Sequence, residues 1–216
     1  MNTNNYISAY FIPNVIGDRG HYIVRVGIMQ RFQRTVSTQP IYEEATMNVS
    51  DAIRLKRAVR KFQDKPLPED VIHAILNAGR RSQSSKNEQT WHFIAIRDKS
   101  ILKALSECGQ WAGHLAGAAL GVAILTPEPT AKFQTMFDAG QAAAFMQLAA
   151  WELGIGSVPA SIYDAELARQ ILAFPPEWHL RIALSFGYPL EEEKISSAPK
   201  KGGRRSLEEV VHWDRW

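Results

Sequence analysis

The chain predicts an α+β fold, and two observations carry that prediction. Helix-like segments and short β-branched runs are interspersed without a regular strand–helix–strand rhythm, which disfavours a doubly wound parallel sheet. The 216 residues suit one domain of moderate size, able to bury about 70% of its unfolded surface. Hydrophobic residues make up 45% and charged residues 22%, values of an ordinary globular protein.

Residues 1–46 stand apart. They hold Asn and Gln clusters, Pro13, Gly17 and Gly20, with no sustained helical periodicity, although the alternating patch 22–28 has the pattern of a strand. Several arginines, few acids and no long apolar run argue against a secretory signal. The segment reads as a poorly ordered extension ahead of a domain spanning 47–216.

From Met47 the punctuation is clearer. Ser50 is placed to cap a short helix over 51–56 that delivers a basic cluster. Pro68 suits the first turn of a helix from Glu69 to about Ala78, with Val71, Ile72, Ile75 and Leu76 as its apolar stripe. A polar loop leads into a strand over 91–96, and 101–108 reads as a short amphipathic helix. The apolar run 115–125 is far short of the ~20 residues that span a bilayer, and reads as a buried strand. The longest helix is expected over 138–153, ended by Gly154 and rich in alanines that let another helix approach. A turn at 156–159, a helix over 165–173, a strand over 180–186 and a C-terminal arm over 207–216 complete the reading.

Several classes of chemistry find no support. The lone Cys108 excludes an intramolecular disulfide and a cysteine-rich metal site, and fits a reducing, cytoplasmic setting. The six histidines lack metal-ligand spacing, and no nucleophile elbow or phosphate-loop motif is present. Gly117 and Gly121 do not follow the dinucleotide fingerprint. Neither a metal nor a protein nucleophile is expected. A net charge of +3, spread along the chain, does not suggest a nucleic-acid partner, and no segment suggests a membrane.

Four groups of residues have binding chemistry. Lys56, Arg57 and Arg60 fall within little more than one helical turn, and guanidinium groups bind phosphate oxygens in bidentate fashion. The same cations would also suit a solvated helix end. Between Ser84 and Gln89, hydroxyls and amides gather just before a strand, where Asn87 and Gln89 can both donate and accept; a plain polar loop has the same composition. Small residues from Gly156 to Ser161 permit close backbone approach to a flat ring, or form a simple turn. Lys201, Arg204 and Arg205 either complete a phosphate clamp or form a solvated tail.

Taken in order, these features resemble the nitroreductase family of flavoproteins over nearly all of 47–216. Lys56-Arg57-Ala58-Val59-Arg60-Lys61-Phe62 is similar to the family's Arg-Arg-Ser-x-Arg-x-Phe opening. Ser84-Ser85-Lys86-Asn87-Glu88-Gln89-Thr90-Trp91 is similar to its Pro-Ser-Ser-x-Asn-x-Gln-Pro-Trp motif. Gly154-Ile155-Gly156-Ser157 and the closing Arg-Arg-Ser-Leu-Glu-Glu-Val-Val follow in the expected order. Ala58 replaces the usual serine, and Gln83 and Thr90 stand where the family has prolines.

The resemblance implies a three-layer α-β-α sandwich with a central mixed sheet, assembled as an intertwined homodimer with FMN at the interface. It places Lys56, Arg57, Ala58 and Arg60 along the ribityl phosphate and the N1/O2 edge of the flavin. Gln83, Ser84, Ser85 and Asn87 reach that flavin from the partner subunit. Gln110 falls at a position facing the pyrimidine edge; Pro159, Ala160 and Ser161 present backbone toward N5 and O4; and Arg204, with Arg205 or Lys201, closes the phosphate site. The implied activity is ping-pong transfer of hydride from NAD(P)H through flavin N5 to nitroaromatics, quinones or similar small electron-poor acceptors. Arg60 would support the negative charge of the reduced ring. The alternatives are a relative using flavin for a specific dehydrogenation, dehalogenation or flavin fragmentation, and a non-catalytic FMN-binding protein.

Overall fold

In the computed structural model, residues 47–128, 132–197 and 203–216 are described. The extension 1–46 with its candidate strand at 22–28, and Lys201, lie outside the described residues.

Strands β1 (His92–Ile96), β2 (Leu120–Thr126), β3 (Gly156–Ser161) and β4 (His179–Gly187) form one sheet in the order β1-β2-β4-β3. Every neighbouring pair is antiparallel. Parallel pairing, which the expected mixed sheet requires, is confined among the described residues to one isolated bridge between Ala58 and Ser157. The segment carrying Ala58 meets β3 only briefly before Phe62 bridges to Pro189 instead, so no further strand forms.

The alternation of side chains along each strand builds the layers. Leu120, Val122, Ile124, Leu184 and Phe186 pack on one side with Ile72, Ile75, Ala142 and Met146, from α2 (Glu69–Arg80) and α4 (Phe133–Glu152). On the other side Ala123, Leu125 and Ala183 meet Leu102, Leu105 and Ala168, from α3 (Lys99–Leu105) and α5 (Ala165–Leu172). The result is an α-β-α sandwich. Covered on both faces, all of β2 is buried, which is why it is a continuous apolar run. The run begins before the strand because Gly113–Gly117 forms a 3₁₀ turn whose Leu115 also enters the core.

Several boundaries differ from the sequence reading, each for a local reason. Asn48, not Ser50, caps α1 (Val49–Leu55), its side-chain oxygen accepting the Asp51 N–H at 2.9 Å. Helix α4 begins at Phe133 rather than at Asp138, and its first two turns expose Phe133 and Phe137, which blurs the apolar period. Residues 156–159 are strand rather than turn, because β4 is available to pair with them. The expected C-terminal arm contains one short helix, α6 (Leu207–Val210), closed by a capping box between Ser206 and Glu209. Among the described residues no helix is long and apolar enough to cross a membrane.

A small cluster outside the sandwich ties α1 to α4. Ala52, Leu55, Val59 and Trp151 pack together, and Val59 lies against Gly156. A Cβ at Gly156 would stand 2.7 Å from Val59 Cβ and Cγ1. We expect Gly156→Ala to lose about 1–3 kcal/mol of stability through overpacking, read as a lower urea midpoint at unchanged slope.

Candidate functional site

The site grows from the point where α1 stops. Lys56 is the C-cap, with φ −56° and ψ 128°, so the chain becomes extended where the basic residues begin. The Val59 N–H donates to the Ser157 carbonyl at 3.1 Å, and its side chain is 1% exposed. In extended chain, neighbouring side chains point opposite ways. With Val59 inward, Ala58 and Arg60 are exposed.

Lys56 is half-buried, and its Nζ donates to Gln147 Oε1 of α4 at 2.7 Å. Burial pushes its pKa below the usual lysine value, and the nearby positive charge of Arg204 pushes it the same way. The structure therefore brings Lys56 and Arg204 within electrostatic range of each other. Arg57 turns elsewhere, donating to the Ser197 carbonyl and, at 3.1 Å, to its hydroxyl. Arg205 is exposed.

Strand β3 supplies the next surface, because among the described residues one of its edges has no neighbouring strand. Ile162 N–H donates to the Arg181 carbonyl across the sheet, so the even-numbered residues of β3 pair with β4. The odd-numbered ones turn their backbone groups to the open edge. There the Ser157 carbonyl is taken by Val59, and Pro159 has no N–H to leave unpaired. The Ser161 N–H faces outward. Pro159 and Ser161 are exposed, whereas Ala160 is buried.

The connection after α3 closes the far end of this edge. The Cys108 carbonyl accepts the N–H groups of Tyr163 and Asp164 at 2.9 and 3.0 Å. The Gly109 backbone lies so close to the Ser161 carbonyl that a Cβ there would collide with it. Gln110, the next residue, is exposed beside Ser161. Further along, His114 Nδ1 lies 2.8 Å from Ser185 Oγ. Burial and the charge of Arg60 hold the His114 pKa below the ordinary value, against the raising effect of a hydrogen bond to the Pro159 carbonyl.

Gln83 and Asn87 are exposed, and Ser84 and Ser85 partly buried, on a separate loop. Asp138 of α4, 5% exposed, accepts the Ser85 N–H at 2.9 Å, and Ser84 Oγ accepts the Gln89 N–H at 3.0 Å. These bonds hold Lys86, Asn87 and Gln89 at φ values of 50°, 57° and 50°, a left-handed conformation costly for side-chain-bearing residues. Asp138 and Gln147 both lie on α4. Their nine-position separation spans about 13 Å of axis. Within one chain the loop and Lys56 are thus fastened to opposite parts of the same helix.

Sequence reading missed the residues that hold the others in place. Asp138, Gln147 and His114 are spaced without any motif, and only the fold reveals their partners. Ser157 was visible only as part of a small-residue segment. Two buried polar atoms beside the basic segment, Ser157 Oγ and Gln147 Nε2, lack a hydrogen-bond partner among the described residues. Among the described residues no three His, Cys, Asp or Glu side chains gather as metal ligands.

Comparison with known proteins agrees with this architecture. The nitroreductase family profile matches residues 53–114 and 111–188, more than half of the chain. A protein of Archaeoglobus fulgidus, provisionally named NADH dehydrogenase/NAD(P)H nitroreductase, is 29% identical over 171 residues, covering 76% of this chain and 96% of its own. The NADH dehydrogenase of Thermus thermophilus is 27% identical over 209 residues, covering 79% and 99%. An FMN-dependent nitroreductase of Clostridium difficile has the same fold, with a TM-score of 0.67 and 27% identity over 76% of this chain and 98% of its own. The ordered motifs, the three-layer sandwich and the family match lead to one conclusion: this chain belongs to the nitroreductase family.

Proposed function

We propose that this protein is an FMN-dependent NAD(P)H oxidoreductase acting on small electron-poor acceptors such as quinones or nitroaromatics. The observation that carries the reading is the half-buried Lys56, held by Gln147 at 2.7 Å, within electrostatic range of Arg204 and just before the segment that bridges to β3. Burial and the like charge of the exposed Arg204 both disfavour the charged lysine until an anion joins it. The unpartnered Ser157 Oγ and Gln147 Nε2 are further polar groups that a phosphate-bearing ligand with many acceptor oxygens suits. The residues present fit FMN.

Bound here, FMN would supply the redox chemistry, a ping-pong hydride transfer from NAD(P)H by way of flavin N5 to the acceptor. Lys56 and Arg204, with the neighbouring Arg205, would hold the phosphate, with Arg57 fastening this segment to Ser197. Arg60 stands by the pyrimidine side and favours negative charge there. Ala58 and Ala160 leave room for backbone to approach the ring. The outward Ser161 N–H is a donor for N5, while Gln110 faces the pyrimidine edge and Pro159 shapes the wall of the site. No side chain is required as a nucleophile.

The loop bearing Gln83, Ser84, Ser85 and Asn87 is held by Asp138, about 13 Å along α4 from the Gln147 that holds Lys56. We assign it to the flavin of a partner copy in a homodimer. In this reading 47–216 is the flavin-binding domain, 1–46 an extension, and the cytoplasm the setting.

The purified protein should be yellow, release FMN on denaturation and bleach when NADH or NADPH is added without oxygen. A quinone should then restore the colour. A colourless protein that cannot be reconstituted with FMN refutes the proposal, and a yellow one that no nucleotide reduces is a flavin carrier.

Lys56→Met should weaken FMN binding about 10-fold or more, the worth of a charge-assisted hydrogen bond. In the wild type, FMN affinity should fall as pH rises through the lowered lysine pKa, below the ordinary 10.5, and Lys56→Met should abolish that dependence. Without FMN the sign reverses. The charged form is the one the fold disfavours, so the destabilisation is present below the lowered pKa and is relieved as pH rises toward the ordinary value.

Asp138→Ala should cost about 1–3 kcal/mol by leaving the Ser85 N–H without its acceptor. It should also release the left-handed loop, read as faster amide exchange at residues 84–89. Asp138→Asn, which keeps an acceptor oxygen, should be milder in both measurements.

A further inference from the structure

We propose that Gln147 is a positioning residue for the phosphate-binding lysine, a neutral carbonyl that holds the Lys56 ammonium in place and leaves its charge for an anion. This rests on the flavin reading above. Gln147 belongs to none of the motifs in the sequence.

The geometry begins with the backbone on either side of the lysine. The Lys56 N–H closes α1 by donating to the Ala52 carbonyl at 2.9 Å. Leu55 before it and Val59 beyond it are 7% and 1% exposed, and both pack with Trp151 of α4. Gln147 lies one turn ahead of Trp151, on the same face of that helix. It is 8% exposed, and Lys56 Nζ donates to its Oε1 at 2.7 Å. Backbone and ammonium are thus both fastened to one helix.

An ammonium only donates, so the lysine fixes which way round the amide lies, with Oε1 toward Nζ and Nε2 away. Held so, Nε2 is buried and has no hydrogen-bond partner among the described residues. A side chain present only to fill space beside Leu148 and Trp151 would be apolar and leave no such group. The lysine is the partner that explains the amide. The neutrality of the carbonyl matters as much as its position. It takes one of three N–H groups and none of the charge, so two donors remain for phosphate oxygens. A carboxylate there would pair with the ammonium, and a phosphate would have to compete with it. Among the described residues no carboxylate offsets the charge of Lys56, and Arg204 is the charged group that acts on it.

The test uses Gln147→Leu, which keeps bulk and removes the acceptor; Gln147→Glu, which adds a charge; and Gln147→Leu combined with Lys56→Met. FMN affinity is read by titrating FMN-free protein and following flavin fluorescence. The titrations run from about pH 7.5 to about pH 10, above the phosphate's own titration near about pH 6. The Lys56 amine is titrated separately in the FMN-free chains through its NMR signals, and thermal melting reports folding. Gln147→Leu should remain folded and bind FMN about 5-fold more weakly, the worth of one hydrogen bond. In the Lys56→Met background the same change should cost less than about twofold, because its effect runs through the lysine. Gln147→Glu should weaken FMN binding about 10-fold, the worth of a hydrogen bond to a charged group. It should also raise the Lys56 pKa, so that the fall in affinity begins at higher pH.

Wild-type affinity in Gln147→Leu would overturn the assignment. So would an equal loss in the Lys56→Met background, which is what a merely structural role produces. A Gln147→Glu chain that binds FMN as tightly as the wild type, or leaves the Lys56 titration unmoved, also overturns it. If Gln147→Leu does not fold, Gln147→Glu decides by those two readouts. A wild-type chain that takes up no FMN fails the flavin reading, and the proposal with it, before any variant is compared. Wild-type uptake with unaffected variants fails only the role of Gln147.

Discussion

One backbone hydrogen bond, from the Val59 N–H to the Ser157 carbonyl, carries more of this structure than its net worth of about 1 kcal/mol suggests. It stops the chain leaving α1 from wandering and lays it along the open edge of β3. Gly156 makes the approach feasible, since a side chain there would strike Val59. Val59 in turn joins Ala52, Leu55 and Trp151 in a small apolar cluster. The inward turn of Val59 leaves Ala58 and Arg60 facing out. Without this contact the cations would be an ordinary solvated helix end.

The electrostatics of the site follow from that anchoring. Lys56 is drawn partly under α4, where Gln147 accepts from it, and burial works against its charge. Arg204 comes back from the far end of the chain to act on the same lysine. In the ligand-free chain such proximity is unfavourable. With a phosphate it becomes a clamp, because each cation then meets opposite charge at short range. Arg60 acts in a different direction, toward His114 and the edge of β3. The basic cluster of the sequence thus divides three ways: Lys56 toward Gln147 and Arg204, Arg60 toward His114, and Arg57 onto Ser197.

Helix α4 is the ruler of the molecule. Its buried alanines and the absence of a side chain at Gly79 let α2 pack closely, and its other contacts reach the sheet. Two of its polar residues each hold a functional segment: Gln147 the lysine, Asp138 the loop. Nine positions, about 13 Å of axis, separate the two anchors. The loop tolerates three left-handed residues because Asp138 and Ser84 satisfy its backbone.

Much of this was legible in the chain itself, because periodicity and punctuation are local. Pro68 before α2, the apolar stripe of that helix, the all-apolar β2 and the alanines of α4 all read directly. The ordered motifs around Lys56, Ser84 and Gly156 identified the family, since each keeps its residue types and their order. The starts of α1 and α4 were misplaced, because a cap depends on a single hydrogen bond and exposed phenylalanines disguise a helical period. Three things depended on tertiary structure alone. Gly156 to Ser161 is strand because β4 lies beside it. The basic residues part company because Ser197, Gln147 and the edge of β3 each claim a different one. Asp138 and His114 acquire partners 53 and 71 positions away in sequence. A residue's type and spacing are local properties of the chain, whereas its hydrogen-bond partner is set only when distant segments are packed together.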